Sequence, residues 1–400
     1  MKRMLVGLFL VFWCQLVLSD PVVVLMVKNE EKVMAPTLQP FVDGGVTEFV
    51  ILDTGSEDKT IEVTEQFFAQ YPDITVHIIQ EPWVDFATSR NFALDATERL
   101  FPEATFMLMI DAEWYTHGVE RLIKFCEEHK NEILIPYYNI TMRGQRIEFV
   151  QSRLLRCRRN VRFVGATQEC LNVVSCGRVP SDTYFDWNPS QDGMKKSAQR
   201  WMRDRDLLLK DYEKNPDNDR TLFYLGITYE CLQDWENAYI FYQKRAAMKR
   251  WDEEDFLTQC YLGRVARALD LQGEMPIAPM VVQHYLTAYS LRPQRAEPLV
   301  ELADYYISKG QMNLAYLFAL RAAKIPYPEN DVLFVEKYIY DYARYDRLGI
   351  CAWYVGEYEV GCWAVLQAMK ADPEAEHLKG NLKLYTEQLA HKKELEFAVN

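Results

Sequence analysis

Between residue 21 and about residue 175, short apolar runs alternate with stretches whose apolar positions recur at helical spacing. The runs at 22–27, 48–52, 74–79, 106–110, 133–138 and 147–155 predict strands. Helices are predicted over 60–70, with Ile61, Val63, Phe67 and Phe68 as its apolar set, and over 90–100. Strands alternating with helices build a mostly parallel sheet with helical cover. Ligands bind such open sheets at the carboxyl ends of the strands, so the residues after each run are the ones to read for chemistry.

Pro180, Asn188, Pro189, Asp192 and Gly193 give residues 180–195 a loop-forming composition. Beyond them the strand pattern stops. Leu225-Gly226-x-x-Tyr229 is followed by Trp235, Ala238 and Tyr242, and Tyr261-Leu262-Gly263 by Tyr289 and Pro293. Glu301-Leu302-Ala303-x-x-Tyr306 leads to Gly310, Ala315, Ala322 and Pro326. A last unit runs through Tyr354, Gly356, Tyr358, Ala364, Ala368 and Pro373. Recurring roughly every 34–45 residues, the units resemble tetratricopeptide repeats. The small residues predict close helix crossings, and the stacked pairs a solenoid with a concave face. The chain thus divides into a leader at 1–19, an α/β domain at 20–190 and helical repeats at 195–400.

With 400 residues and 49% of them hydrophobic, the chain has material for two real cores. Its net charge of −13 argues against a nucleic-acid partner, which needs a basic face. An anionic small molecule stays open, because a bound cation reverses the local field. Lys2 and Arg3 precede an apolar run over 4–18 that ends at Ser19, the pattern of a signal peptide. No later run is long enough to span a membrane. The mature chain is therefore expected in the secretory-pathway lumen or exported, or in the cytoplasm if the leader does not act. The eight cysteines after the leader make no CxxC pair and no zinc spacing. Cys170 with Cys176 is the nearest pair for a disulfide, with scattered buried thiols the alternative. Asn139-Ile140-Thr141 reads as a glycosylation acceptor.

The strand ends carry the chemistry. The first run ends in Val27-Lys28-Asn29-Glu30 and the second in Asp53-Thr54-Gly55-Ser56. A carboxylate at a strand tip suits nucleoside recognition, and amides opening the next helix suit an anion. A helix cap with a turn glycine explains Gly55 and Ser56 equally well. Asp-Thr-Gly-Ser also spells an aspartic-protease signature, but no second Asp-Thr-Gly or Asp-Ser-Gly supplies the partner carboxylate. Asp85 lies in the loop before Arg90 and Asn91, which either hold a ribose or base edge or tie loops together. The run at 106–110 ends in Asp111-Ala112-Glu113. On an extended chain those two acids point the same way, and hard oxygens in a pair suit Mg²⁺ or Mn²⁺.

Taken together and in order, these blocks resemble family 2 glycosyltransferases of the GT-A fold. Arg162-Phe163-Val164-Gly165-Ala166-Thr167-Gln168-Glu169 is similar to the family's later motif. Lys196-Ser197, Arg203-Asp204, Asp217-Asn218-x-Arg220 and Leu222 to Gly226 resemble the junction in members with a tetratricopeptide tail. The resemblance implies a transferase taking a hexose or N-acetylhexosamine from a nucleotide sugar, UDP-linked first, to a glycan or protein hydroxyl. It implies inversion, with Mn²⁺ or Mg²⁺ held by Asp111 and Glu113. Asn29, Glu30, Asp53, Asp85 and Arg90 would meet the donor, Asp111 would serve catalysis, and Glu169 would be the base. The repeats would hold the acceptor or a partner. Glu113 and Gln168 depart from the family's more usual Asp and His. They motivate the alternative of a catalytically inactive domain in an interaction protein. A nucleotidyltransferase would want a Gly-rich basic loop where residues 27–33 offer only Lys28 and Lys32.

Overall fold

The structure, a computed structural model, describes residues 20–399 apart from 145, 166, 188–190 and 273–276. The leader at 1–19 and Pro189 lie outside the described residues. The chain begins with three βα units: β1 (Val22–Val27), α1 (Met34–Asp43), β2 (Glu48–Asp53), α2 (Thr60–Phe68), β3 (Thr75–Gln80) and α3 (Phe86–Leu100). Then come β4 (Phe106–Ile110), β5 (Trp114–His117), α4 (Val119–His129), β6 (Tyr137–Arg143) and β7 (Glu148–Arg156). The short strands β8 (Phe163–Val164), β9 (Cys170–Leu171) and β10 (Gly177–Arg178) and then β11 (Tyr184–Trp187) complete the domain.

The large sheet runs β3-β2-β1-β4-β7-β6-β11-β5, with β10 on β6. Its first four strands are parallel, and β7 joins them antiparallel on β4. The sheet is therefore parallel on the side of the strand ends singled out above and mixed beyond β4. Strands β1, β2 and β4 are buried on both faces, as parallel strands covered by helices must be. That is why they read as unbroken apolar runs. The order turns between β2, β1 and β4, a switch point of the kind where open sheets bind ligands.

One predicted strand is displaced. Ile133 and Leu134 are exposed in a turn, and β6 begins four residues later. Its own signal is the alternation of Asn139, Thr141 and Arg143 with apolar residues. Asn139 lies inside the sheet, its amide spent on Ser152 (2.8 Å) and the Cys176 sulfur (3.4 Å), and Thr141 is buried. Cys170 and Cys176 are free thiols.

From Gln191 the described chain is helical except for one strap. Helix α5 (Gln191–Lys214) leads into the hairpins α6 (Asp219–Cys231) with α7 (Trp235–Ala246) and α8 (Asp252–Gln272) with α9 (Ala278–Leu291). Next come α10 (Glu297–Ser308) with α11 (Met312–Ala323), and α12 (Arg344–Tyr354) with α13 (Tyr358–Ala368), before α14 (Glu376–Val399). Each pair closes through small residues: Gly226 lies against the Tyr242 ring, Gly263 against Tyr285, and Gly349 against Val365. Ala303 and Ala319 serve the third pair. A methyl group on Gly263 would stand 2.8 Å from the Tyr285 ring, and that tyrosine is fully buried. Gly263→Ala is therefore expected to lose about 1–3 kcal/mol by overpacking. A urea midpoint equal to wild type would show that the pair is looser than described.

A strap before the π-helical turn Ile339–Ala343 returns to the sheet. Glu148 and Val335 exchange backbone hydrogen bonds of 2.9 and 3.1 Å, and Phe149 packs on Phe334. Arg295, fully buried, holds the strap through Asp331 (3.1 Å) and the Phe334 carbonyl (3.2 Å). No described helix is long and apolar enough to cross a membrane.

Candidate active site

At the ends of β1 and β2 the polar residues mostly hold one another. Asn29, in the left-handed region at φ 56°, donates its backbone N–H to Ser56 Oγ (2.9 Å) and accepts from the Glu57 amide (2.7 Å). Glu30 donates its N–H to Thr60 Oγ1 (2.7 Å). Asp53, 2% exposed, accepts from the Gly55 and Ser56 amides at 3.1 and 3.0 Å. Asp85 caps α3, accepting from the Thr88 amide (2.7 Å) and hydroxyl (2.9 Å). These four residues form the rim at the strand ends, and Asp53 anchors the turn after β2. Of the two readings of Asn91 the structure takes the second, because its side chain clasps Phe163 through both backbone groups at 2.8 Å.

Beside this rim lies a cluster of four charges from four parts of the chain. Arg90 of α3 reaches Asp111, one residue past β4, with Nη2 at 2.7 and 2.9 Å from the two carboxylate oxygens. Its Nε stands 2.7 Å from Glu169 Oε1. Arg153 of β7 closes the square, 3.7 Å from Asp111 and 3.5 Å from Glu169. Phe163 lies beneath both guanidinium groups, and Trp114 beneath Arg153. The Asp111 side chain keeps 29% of its surface exposed, whereas Glu169 keeps 8%. Arg90 Nη1 and Arg153 Nε, both buried, have no hydrogen-bond acceptor among the described residues.

The electrostatics follow from this packing. Burial favours the protonated form of Glu169, but the charges of Arg90 and Arg153 outweigh it and hold the carboxyl below its ordinary value. Burial and the neighbouring Arg90 pull Arg153 down. Asp204, buried on α5, is pushed up by burial against the opposing pull of Arg203 and Arg200 and a hydrogen bond with Thr167. Arg203 itself lies over the Trp83 and Phe86 rings, so α5 covers the loop leading into α3.

Sequence reasoning brought Arg90, Asp111 and Glu169 forward separately and missed Arg153. The only signal for Arg153 was a charge facing inward beside Leu154 and Leu155. Glu113 is placed differently from expectation. The segment 111–113 is a turn, not extended chain, and Glu113 adopts φ 65° with its N–H on Thr37 Oγ1 (3.1 Å). The alternation argument for a shared direction of the two acids therefore does not apply. No group of three acidic, His or Cys residues gathers for a metal among the described residues. The donor set still suits a small hard cation, since Mg²⁺ is commonly held by one or two carboxylates plus substrate phosphates. Asp111 retains an exposed flank for such a role.

A mixed sheet with buried charge at the switch point of its parallel half, followed by paired helices, defines an architecture: an α/β domain joined to a helical repeat array. Residues 22–178 match the model of glycosyl transferase family 2. Solved structures similar to the helical half include a thermophilic tetratricopeptide protein of Thermus thermophilus, 15% identical over 48% of this chain and 94% of that one, TM-score 0.33. MamA is 15% identical over 47% and 97%, TM-score 0.35. YrrB, described as having an unusual peptide-binding site, is 15% identical over 46% and 84%, TM-score 0.35. The repeat assignment rests on the helix pairing itself. A comparison with curated proteins finds no match.

Proposed function

We propose that the chain transfers a sugar from a nucleotide-sugar donor, UDP-linked first, to a hydroxyl of a glycan or protein, with inversion at the anomeric carbon. The supporting observation is the convergence of Asp111 and Glu169 on one arginine pair at the switch point of a domain that matches the family 2 model. Asn29, Glu30, Asp53 and Asp85 form the rim against which the nucleoside lies. The acceptor oxygen bonds to the anomeric carbon as the bond to the diphosphate breaks, and the electron pair leaves with the nucleoside diphosphate. Glu169 takes the acceptor proton. In the ligand-free site it is a weak base, because two arginines stabilise its charged form. Arg90 Nη1 and Arg153 Nε are donors in reserve. Turned toward an incoming diphosphate, the arginines release Glu169 and raise its basicity. Mn²⁺ or Mg²⁺ held by Asp111 and Glu113 would supply Lewis-acid stabilisation of the leaving group. With residues 1–19 acting as an export signal, the work would lie in a secretory lumen supplied with nucleotide sugars, with the repeats holding the acceptor.

The second reading, an inactive domain serving the repeats, draws on one observation: both acids are already engaged by arginines. Nucleoside diphosphate release from a panel of nucleotide sugars, with and without Mn²⁺, separates the two. Release with at least one donor, raised by the metal, is expected. Donor binding without release from any of the panel would favour the scaffold.

A further inference from the structure

The loop that presents Glu169 is held from outside the sheet. Thr167, Gln168 and Glu169 lie between β8 and β9, and each has its own restraint. Thr167 is buried. The Gln168 carbonyl accepts from Arg220 Nε (3.1 Å) and Nη2 (3.0 Å). Glu169 lies between Arg90 and Arg153. Gln168 has φ 51°, a left-handed conformation unfavourable for a residue with a Cβ that persists only where its surroundings enforce it. The fork of Arg220 is the restraint on that residue.

Arg220 is itself well fixed. It is the second residue of α6, the first repeat helix, which Asn218 caps by accepting from the Thr221 amide (3.0 Å). Its guanidinium stacks over the Tyr224 ring, 4.8 Å from the centroid, one turn along the same helix. We propose that Arg220 is a positioning residue: the first repeat locks the left-handed Gln168 and so sets the Glu169 carboxylate between the two arginines. The repeat array is then part of the transferase site and not only an acceptor platform. The role of Glu169 as proton acceptor rests on the function proposed above, whereas the locking of the loop does not.

The test uses the full chain with Arg220→Ala and Arg220→Lys, read by hydrogen exchange and by donor turnover. In Arg220→Ala, amides at 167–172 are expected to exchange about tenfold or more faster, with β1, β2 and β4 unchanged. Arg220→Lys, which keeps one donor but not the fork, is expected to restore part of the protection. In turnover, kcat falls about tenfold while the donor KM stays within about twofold. Unchanged exchange at 167–172, or exchange rising equally across both domains, overturns the proposal. If the wild-type chain turns over no donor, the function fails, and the exchange result still decides whether Arg220 locks the loop.

Discussion

Asp111→Asn is expected to retain the fold and lose turnover by on the order of 10³-fold, a barrier change of several kcal/mol. Asparagine matches aspartate in shape but carries no charge. Its one amide oxygen can accept from Arg90 Nη2, which now lies within 2.9 Å of both carboxylate oxygens, but it offers no counter-charge and no second acceptor. It is also a poor ligand for a hard cation beside a diphosphate. Arg90 keeps Glu169 as its counter-ion, so the buried cation is not stranded and the variant should remain soluble and cooperative. The decisive reading is donor affinity with Mn²⁺, by calorimetry. Affinity equal to wild type would remove Asp111 from the donor site.

Glu169→Gln is expected to act differently, lowering kcat by about 10²–10⁴-fold, the usual range for a lost acid–base group, with donor affinity retained. The variant also has a stability signature. The arginines depress the Glu169 pKa in the folded chain relative to its ordinary 4.5. Its charge therefore stabilises the fold above that value, and the contribution fades as pH falls through the lower folded value. Glu169→Gln should be less stable than wild type at neutral pH, by about 3–5 kcal/mol for a broken buried pair, and the gap should narrow below pH 4.5. Denaturant midpoints measured at neutral pH and again at the acid end check this. A gap that does not vary with pH would mean that Glu169 is not held as a charged partner of the arginines.

How much of this was legible in the chain depended on the kind of signal. Strands β1 and β4 were readable residue by residue, because burial on both faces leaves no polar interruption. Strand β6 was displaced because the eye-catching run at Ile133 and Leu134 is exposed, while the true strand alternates. The small residues of the repeats announced the helix crossings, since Gly226 and Gly263 stand where a tyrosine ring leaves no room. The site was harder. Arg90, Asp111 and Glu169 belong to separate motifs, and no spacing says that one guanidinium joins two of them. Arg153 had no motif at all. Glu113 was placed on extended chain, whereas a left-handed residue turns β4 into β5. The junction motif around Arg220 was visible in the sequence, but its meaning lay in a carbonyl 52 residues away.

The most direct test is a crystal structure of the full chain with Mn²⁺ and a nucleoside diphosphate, the metal located by its anomalous signal. The expected result places manganese on the Asp111 and Glu113 carboxylates with the diphosphate beside it and the nucleoside along the rim of Asn29 and Asp53. A nucleotide bound elsewhere, or saturating ligand that leaves the Arg90–Asp111 pair undisturbed and the strand ends empty, would contradict it.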